Sequence, residues 1–327
     1  MIQPIINKNF RESVESHIFC NILLDQAQIP LILGIFGPSG EGKTFQLEQV
    51  CRDMNVTAVM ISPGELESVN AGHPGFVLRS EYLRCGKLKS YNGHREPSVL
   101  IINDIDTVLG NWGDLVQYTV NRQIVYGQLM AFCDHPTEVS GKNTRRIPII
   151  LTGNNPSILY RPLMRPGRMR VFQWEPSSED KVEIISGLFP DIDHIQLRSL
   201  VLEFSHQPIA FWSDVKSWIR EHRVLEWIYE TGRENLIAAL HKEAKFQSRP
   251  ISMTVSELRN AAIKLNSNDT LTRSFLPGRL FRGGFEDVGR EGRGGGLLGR
   301  VLLVRRVVAE ASECVSPLRL DGASRMV

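Results

Sequence analysis

Eight consecutive residues near the start of the chain have the types and spacing of a nucleotide phosphate-binding loop. The segment GPSGEGKT fits the pattern G-x-x-x-x-G-K-[ST] at every position. Glycines let backbone N–H groups turn towards phosphate oxygens, and the N-terminus of the following helix adds its positive end. The pattern predicts that Lys43 contacts the β- and γ-phosphates and that the Thr44 hydroxyl binds Mg²⁺. The predicted cofactor-binding residues of the loop are Gly37, Pro38, Ser39, Gly40, Glu41, Gly42, Lys43 and Thr44.

Polar residues follow two apolar runs further along the chain. Asn103 and Asp104 come directly after the run 99–102, and Asn154 follows a later run. The carboxyl ends of parallel strands form the ligand side of a sheet, so these residues are expected beside the phosphate loop. Asn103 and Asp104 are predicted to join Thr44 around the metal, and Asp104 to orient or activate the attacking water. An ordinary strand that ends in polar turn residues is the alternative reading of this segment.

Short apolar runs, separated by stretches of helical length, predict the elements that carry these residues. Runs of this kind are typical of strands in a mainly parallel sheet of an α/β domain. A helix over residues 11–24 and another over 45–54 are predicted around the first strand. The predicted strands are residues 31–36, 57–61, 99–102, 147–151 and 171–174.

After Pro176 the pattern becomes helical. Ser177 and Asp180 have the spacing of a capping box, which marks the start of a helix. Helices are predicted over 180–188, 195–204, 209–229, 234–244 and 255–265, which together form a small all-helical lid domain. The predicted domains are a short N-terminal segment (1–29), an α/β nucleotide-binding domain (30–176), the helical lid (177–272) and a Gly/Arg-rich tail (273–327).

Charge is distributed unevenly between the tail and the rest of the chain. The chain has 38 Lys and Arg against 36 Asp and Glu, of which residues 273–327 hold ten Arg and six acids. The main body is therefore close to neutral, which gives no general reason to expect nucleic acid as a partner. The tail composition favours a flexible segment, with an RNA-binding tail or an altered reading frame as alternatives.

The composition also bears on the compartment of the protein. No apolar run approaches the roughly 18 residues of a membrane span. The opening residues lack the apolar core of a signal peptide, and Glu12 and Glu15 argue against a transit peptide. The five cysteines have no metal-ligand spacing and are predicted to be reduced thiols. These features predict a soluble intracellular protein without a membrane partner.

Taken in order, the motifs resemble those of AAA+ ATPases. In that class, an Asn at the position of Asn154 contacts the γ-phosphate and water. An arginine pair at the position of Arg165 and Arg168 faces the nucleotide of a neighbouring subunit, and guanidinium groups suit the spread charge of a phosphoryl transition state. The resemblance implies ATP and Mg²⁺ as cofactors, and it assigns catalytic roles to Asp104, Asn154, Arg165 and Arg168.

More specific segments resemble the Rubisco activase family of the green, plant and cyanobacterial type. They are PLILGI with GKTFQ, GELES with NAG, INDID, QYTVN and GRM, spread between about Pro30 and Ile228. The Asn-Asp pair at 103–104 is this family's own form.

The resemblance implies a homo-oligomeric ring, commonly a hexamer, that uses ATP hydrolysis to release inhibitory sugar phosphates from Rubisco. It also implies two pore-facing loops, at residues 64–75 and 110–117, for which ordinary surface loops are the alternative. The implied compartment is a cyanobacterial cytoplasm or carboxysome, with a plastid stroma as the alternative.

Three departures from the family pattern leave other functions open. Lys216 stands where the lid normally supplies a sensor arginine to the nucleotide, so it is included among the predicted cofactor-binding residues. The segment before Pro30 is short, and the tail with its single Cys314 lacks the cysteine pair of the redox-regulated plant extension. The alternatives are an AAA+ ATPase with another client and a nucleotide-binding regulatory subunit without turnover.

Overall fold

A parallel five-stranded sheet forms the centre of the α/β part. The computed structural model describes residues 4–24, 29–67, 70, 72–89, 93, 96–109, 119–242 and 252–275. The sheet strands are β1 (Ile32–Phe36), β2 (Thr57–Ile61), β3 (Ser98–Ile102), β6 (Ile149–Gly153) and β7 (Met169–Gln173), and the two-stranded hairpin is β4 (Glu138–Val139) with β5 (Lys142–Asn143). The order across the sheet is β2-β3-β6-β1-β7, and every neighbouring pair is parallel.

Helices cover both faces of this sheet. The helices of the α/β part are α1 (Lys8–Leu23), α2 (Lys43–Asp53), α3 (Pro63–Leu66), α4 (His73–Lys87), α5 (Ile105–Leu109) and α6 (Thr119–Asp134). Alternate residues of β1 point to opposite faces, as the strand geometry requires. Leu33 and Ile35 pack in one buried cluster with α1 and α2, whereas Ile32 and Phe36 pack in a second cluster with α4 and α6. All five positions of β1 are buried, so its sequence is apolar throughout instead of alternating.

The strand register brings the carboxyl ends of the three central strands to one edge. Phe36 at the end of β1 pairs with Gly153 at the end of β6, and Ile102 at the end of β3 pairs with Leu151. Because β6 lies between β1 and β3, residues that follow β6 lie between those that follow the other two strands. The candidate site is built at this edge.

The helical part begins directly after the sheet. Its helices are α7 (Ser178–Leu188), α8 (His194–Glu203), α9 (Ile209–Thr231), α10 (Leu236–Lys242) and α11 (Val255–Phe275). The side chain of Ser177 accepts from the N–H of Asp180, whose carboxylate accepts from the N–H of Ser177, so the capping box forms as predicted. Trp212 and Val215 of α9 are buried in the same cluster as Leu33 and Ile35 of β1. One apolar core therefore connects the sheet to the helical part.

The observed elements differ from the sequence prediction mainly at their ends. The sheet strand predicted at 147–151 runs instead over Ile149–Gly153, because Pro148 has no N–H for the ladder and only its carbonyl accepts, from Leu100 N. The strand predicted at 171–174 begins earlier, at Met169, which pairs with Ile32. A 3-10 helix, Arg233–Asn235, precedes α10, and α11 is longer than predicted.

Some predicted features lie outside the described residues. These are residues 110–117 of the second predicted pore loop, positions 68, 69 and 71 of the first, and the tail from residue 276 onwards, including Cys314. Within the described part, Cys20, Cys51, Cys85 and Cys133 are free thiols. None of the described helices combines the length and the apolar character that crossing a membrane would need.

Candidate functional site

The phosphate loop joins β1 to α2 in a conformation that requires glycine. A Cβ on Gly37 would lie 1.9 Å from the carbonyl oxygen of Trp174, and Gly40 and Gly42 have φ of 77° and 74°. Gly42 is the N-cap of α2, and no side chain caps this helix. The first N–H groups of α2 are therefore left for a ligand, and the helix terminus favours an anion there.

Lys43 points back into the loop. Its ammonium donates to the carbonyl oxygens of Gly37 (2.7 Å) and Pro38 (2.8 Å) and to Asn154 Oδ1 (3.2 Å). The side chain is only 6% exposed, and this burial lowers the pKa of Lys43, against the opposing effect of Asp104, Asp106 and Glu41. An anionic ligand in the loop would supply a counter-charge that the carbonyl oxygens provide only partly.

A hydrogen-bond network fixes the residues that follow β3 and β6. The N–H of Asp104 donates to Thr152 Oγ1 (3.0 Å), and the N–H of Asn154 donates to Asp106 Oδ2 (2.7 Å). Asp104 has φ of 44°, a left-handed conformation that Asp tolerates better than most residues. The two strand ends are therefore tied to each other by side chains, and Asn154 is held within reach of Lys43.

A cavity of about 390 Å³ opens at this edge of the sheet. Its polar side is lined by loop residues 39–44 apart from Glu41, together with Asp104 and Asn154. Its other side is largely apolar, with Ile5 from the segment before α1, Ile184 and Leu188 from α7, and Ile209 from α9. The volume falls in the range of roughly 300–1,000 Å³ that is usual for small-molecule sites. Phosphates at the polar end and a nucleobase against the apolar wall match this division.

Two residues that line the cavity have side-chain oxygens suitable for binding Mg²⁺. The Thr44 hydroxyl and the Asp104 carboxylate belong to residues that line the same space. Hard oxygen ligands, completed by phosphate oxygens and water, are what Mg²⁺ uses in nucleotide sites. No group of three or more His, Cys, Asp or Glu side chains that could hold a metal alone occurs among the described residues. The residues fit a metal that enters together with a nucleotide.

Two predicted ligands are bonded to other residues in this conformation. Asn103 Oδ1 accepts from the Thr152 hydroxyl (3.2 Å). Lys216 is bonded to the end of α7. Its ammonium donates to the carbonyl oxygen of Leu188 (2.5 Å), at the negative end of α7, and burial lowers its pKa. The assignments of Asn103 to the metal and of Lys216 to the nucleotide stay predictions, and each would require these bonds to change.

The two predicted trans-acting arginines have different surroundings. Arg168 forms a paired hydrogen bond with Asp134, at 3.1 and 2.9 Å, and also donates to the carbonyl of Pro162. Arg165 is exposed, and no described residue bonds to its guanidinium. Of the two arginines, Arg165 is the one whose guanidinium is exposed and unbonded within the described part of the chain.

The phosphate loop also contacts the helical part directly. The N–H of Ala210 donates to the carbonyl of Gly40 (2.9 Å), and a Cβ on Gly40 would lie 3.1 Å from Pro208 Cβ. Glu41 is 6% exposed and pairs with Lys181 of α7 at 2.6 Å. These bonds place the first turn of α9 and the first turn of α7 against the loop.

Sequence reasoning missed the contribution of the segment before α1. Asn7 caps α1, its N–H donates to Gln46 Oε1 of α2 (3.0 Å), and its amide donates to Asp180 Oδ1 of α7 (2.6 Å). These bonds place Pro4 and Ile5 in the cavity wall, where Ile5 packs against Gly187. Each bond joins residues far apart in the chain, and no local pattern signals it.

Comparison with known protein families identifies both parts of the chain. Residues 33–177 match the model of the ATPase family associated with various cellular activities (AAA). Residues 178–268 match the model of the ribulose bisphosphate carboxylase/oxygenase activase AAA helical domain. The two matches are adjacent and cover the sheet from Leu33 onwards, the phosphate loop and the helical part up to residue 268.

Curated relatives carry the same name. The chain is 40% identical over 240 residues to ribulose bisphosphate carboxylase/oxygenase activase of Anabaena sp. (strain CA / ATCC 33047). The matched region covers 71% of this chain and 57% of that protein. It is 39% identical over 244 residues to the chloroplastic protein of Zea mays, with 72% and 56% covered. For the chloroplastic protein of Chlamydomonas reinhardtii the identity is 36% over 247 residues, with 71% and 58% covered. The chain therefore spans a little over half the length of these relatives.

The parallel sheet, the phosphate loop and the polar strand ends define a P-loop nucleotide-binding protein of the AAA class. With the family matches on both of its parts, the chain belongs to the Rubisco activase family of AAA ATPases.

Proposed function

We propose that the protein hydrolyses ATP in the cavity at the carboxyl edge of the sheet and uses the energy to remodel Rubisco. The observation that carries the proposal is the continuous match from the phosphate loop through a helical domain named for Rubisco activase. The cavity supports the first half of the proposal, because it joins phosphate-binding groups, a carboxylate and an apolar wall.

The residues of the chain divide the work of hydrolysis. Lys43 moves its ammonium from the carbonyls of Gly37 and Pro38 to the phosphates, and Asn154 holds the γ-phosphate and the attacking water. Asp104 accepts a hydrogen bond from that water and orients it in line with the bond to be broken. The apolar wall of the cavity excludes bulk water, which strengthens these interactions. Mg²⁺, held by Thr44 and Asp104, would neutralise charge on the phosphate oxygens.

The proposed assembly is a ring of identical subunits, commonly a hexamer in this family. Arg165 contacts the nucleotide of the neighbouring subunit, where its charge stabilises the transition state. Arg168 supports the turn that carries Arg165 through its pair with Asp134. In this arrangement a lone subunit binds ATP and hydrolyses it slowly.

The proposed client is Rubisco with a tightly bound inhibitory sugar phosphate, which the protein releases. The relatives named as activases come from cyanobacteria and from chloroplasts, so the proposed setting is a cyanobacterial cytoplasm or carboxysome, or a plastid stroma. Neither a membrane nor a nucleic acid is part of the proposal.

The test is phosphate release by purified protein, with and without inhibitor-locked Rubisco, with recovered carboxylation scored in the same samples. ATP-dependent recovery of carboxylation is the expected result. Hydrolysis without recovery would indicate an AAA ATPase with another client. Nucleotide binding without phosphate release would indicate a regulatory subunit and contradict the proposal.

A further inference from the structure

Glu41 is an acidic residue inside a loop that binds phosphates. Its side chain does not line the cavity and contacts the helical part instead. Oε1 accepts from Lys181 Nζ at 2.6 Å, and Oε2 accepts from the N–H of Ile209 at 3.3 Å. Its backbone carbonyl accepts from Trp174 Nε1 at 2.7 Å. Three acceptor atoms of this one residue are thus bonded to residues that come after the last sheet strand in the sequence.

The burial of this pair has an electrostatic consequence. The side chains of Glu41 and Lys181 are 7% and 14% exposed, so water screens their charges weakly. A buried carboxylate in the phosphate loop would repel a polyphosphate unless a cation neutralises it. Removing one partner of a buried ion pair leaves an uncompensated charge that is strongly unfavourable. Lys181 is the residue that removes this repulsion.

Lys181 also connects the loop to the start of α9. Its ammonium donates to the carbonyl of Gln207 (3.2 Å), just before Pro208 and Ala210, which contact Gly40. Gln207 is itself 3% exposed, and its amide donates to Asn266 Oδ1 of α11. The ion pair therefore lies between the phosphate loop and three helices of the helical part.

We propose that Glu41 and Lys181 are positioning residues of the nucleotide site. Lys181 neutralises the Glu41 carboxylate so that the loop accepts polyphosphate, and the pair holds the loop against α7 and α9. The helical part thereby sets the nucleotide affinity of a phosphate loop that belongs to the α/β part. This inference rests on the proposed ATP site, but not on turnover or on Rubisco.

Equilibrium binding to the full chain tests the proposal with three variants and a matched control. ADP and ATP affinities are measured by calorimetry, and adenosine, which has no phosphate, by competition with a fluorescent nucleotide. Lys181→Met is expected to weaken the binding of ADP and ATP at least tenfold. It is expected to weaken the binding of adenosine less than twofold. Glu41→Gln removes the carboxylate but keeps an oxygen that can accept from Lys181 Nζ, so it is expected to bind ADP and ATP at least twofold more tightly than the wild type. The double variant Glu41→Gln/Lys181→Met should recover most of the affinity that Lys181→Met loses.

Arg198→Met is the matched control, because Arg198 pairs with Glu179 of α7 at 2.5 Å on the exposed surface. It is expected to bind all three ligands like the wild type. Should Lys181→Met not fold, as judged by circular dichroism, Glu41→Gln decides the matter, because tighter ADP binding supports neutralisation by Lys181 and unchanged or weaker ADP binding contradicts it.

Several outcomes would overturn the inference. They are unchanged ADP binding by Lys181→Met, a loss of adenosine affinity equal to the loss of ADP affinity, a double variant as weak as Lys181→Met, and a Glu41→Gln protein that binds ADP no more tightly than the wild type. If the wild type binds ADP and ATP and any of these results is found, only the proposed role of the ion pair is contradicted. A wild type that binds no nucleotide contradicts the proposed function as well.

Discussion

At the scale of single residues, Lys43 is a buried cation whose contacts are mostly carbonyl dipoles. Its ammonium has no carboxylate in hydrogen-bond contact among the described residues, and burial lowers its pKa. A polyphosphate would relieve this desolvation by bringing negative charge to the loop. Binding of nucleotide and a change in the contacts of Lys43 therefore accompany each other.

Lys43→Ala is expected to abolish ATP turnover, since the variant loses the only loop side chain that brings positive charge to the phosphates. The measurement is steady-state phosphate release, and a fall of at least about a hundredfold is expected, which corresponds to about 2.7 kcal/mol. Lys142→Ala, in the exposed hairpin strand β5, is the control and should hydrolyse ATP at the wild-type rate. Retained activity in Lys43→Ala would contradict the assignment of the site.

Asp106 illustrates a residue that acts through another. Its Oδ2 accepts from the N–H of Asn154 (2.7 Å), and its Oδ1 is buried without a hydrogen-bond partner. Asp106→Asn keeps an oxygen that can accept from Asn154 N–H but removes the charge from this bond, and it puts an NH₂ group at the buried position of Oδ1. We expect kcat to fall about tenfold, or about 1.4 kcal/mol, with KM for ATP within about threefold.

The control for Asp106→Asn is Asp53→Asn at the end of α2, where Asp53 pairs with Arg11 away from the cavity. This variant should change neither constant. An increase in KM of Asp106→Asn without a change in kcat would show that Asp106 supports ground-state binding and not the position of Asn154.

At the scale of elements, the contact between the phosphate loop and α9 depends on the absence of a side chain at Gly40. Gly40→Ala would place a methyl group 3.1 Å from Pro208 and 3.3 Å from Ala210, at a φ of 77°. The left-handed conformation alone costs an L-residue about 1–2 kcal/mol. The variant is expected to unfold at a lower temperature and to bind ADP more weakly.

Gly127→Ala in α6 is the matched substitution. Gly127 is exposed, and apart from the adjacent residues and the backbone of its own helix, no atom lies within 4 Å of the added Cβ. Because Ala is the better helix former, the variant is expected to gain about 0.5–1 kcal/mol of stability. Thermal unfolding and ADP calorimetry of both variants test the contact, and a Gly40→Ala protein as stable as the wild type would argue against it.

The sequence allowed the prediction of elements better than of the contacts between them. Residues 57–61 were predicted as a strand with the observed ends, because a short apolar run between polar turns is a local signal. The capping box at Ser177 is equally local. The Lys216 ammonium, in contrast, bonds to Leu188 on another helix, and Arg168 bonds to Asp134. Such choices depend on tertiary packing, and spacing along the chain contains no information about them.

The same limit applies to the wall of the cavity. The loop, Asp104 and Asn154 follow from motifs, because the carboxyl edge of a parallel sheet is a fixed consequence of topology. Ile5, Ile184 and Ile209 are ordinary apolar residues in the sequence. Only the fold shows that they face the same cavity as Lys43.

At the scale of the whole molecule, His17 connects stability to pH. It lies in α1 with 2% of its surface exposed, and its Nε2 is 3.1 Å from the carbonyl oxygen of Ile149. Burial, with the positive charges of Arg170 and Arg146, lowers the pKa of His17 from 6.5 to about 3. The folded protein therefore keeps this imidazole neutral at pH values where the unfolded chain protonates it.

The sign of the effect follows from proton binding. Below pH 6.5 the unfolded state binds a proton that the folded state excludes, so the free energy of unfolding decreases as pH falls towards 3. Between pH 6.5 and 5.5, where most carboxylates remain ionised, His17→Gln is expected to show a shallower decrease than the wild type. Urea unfolding at several pH values measures the difference. His194→Gln, on the exposed end of α8, should retain the wild-type slope. Equal slopes for His17→Gln and wild type would contradict this account.

The segment before α1 has a mechanical consequence. Asn7 is bonded to α2 through Gln46 and to α7 through Asp180, while Pro4 and Ile5 form part of the cavity wall. A pulling force on the chain ahead of Asn7 would load these two hydrogen bonds first and displace the wall before it reached the sheet. The tension at which the segment detaches should therefore rise when nucleotide fills the cavity. A force on the segment before α1 and the occupancy of the nucleotide site would then influence each other.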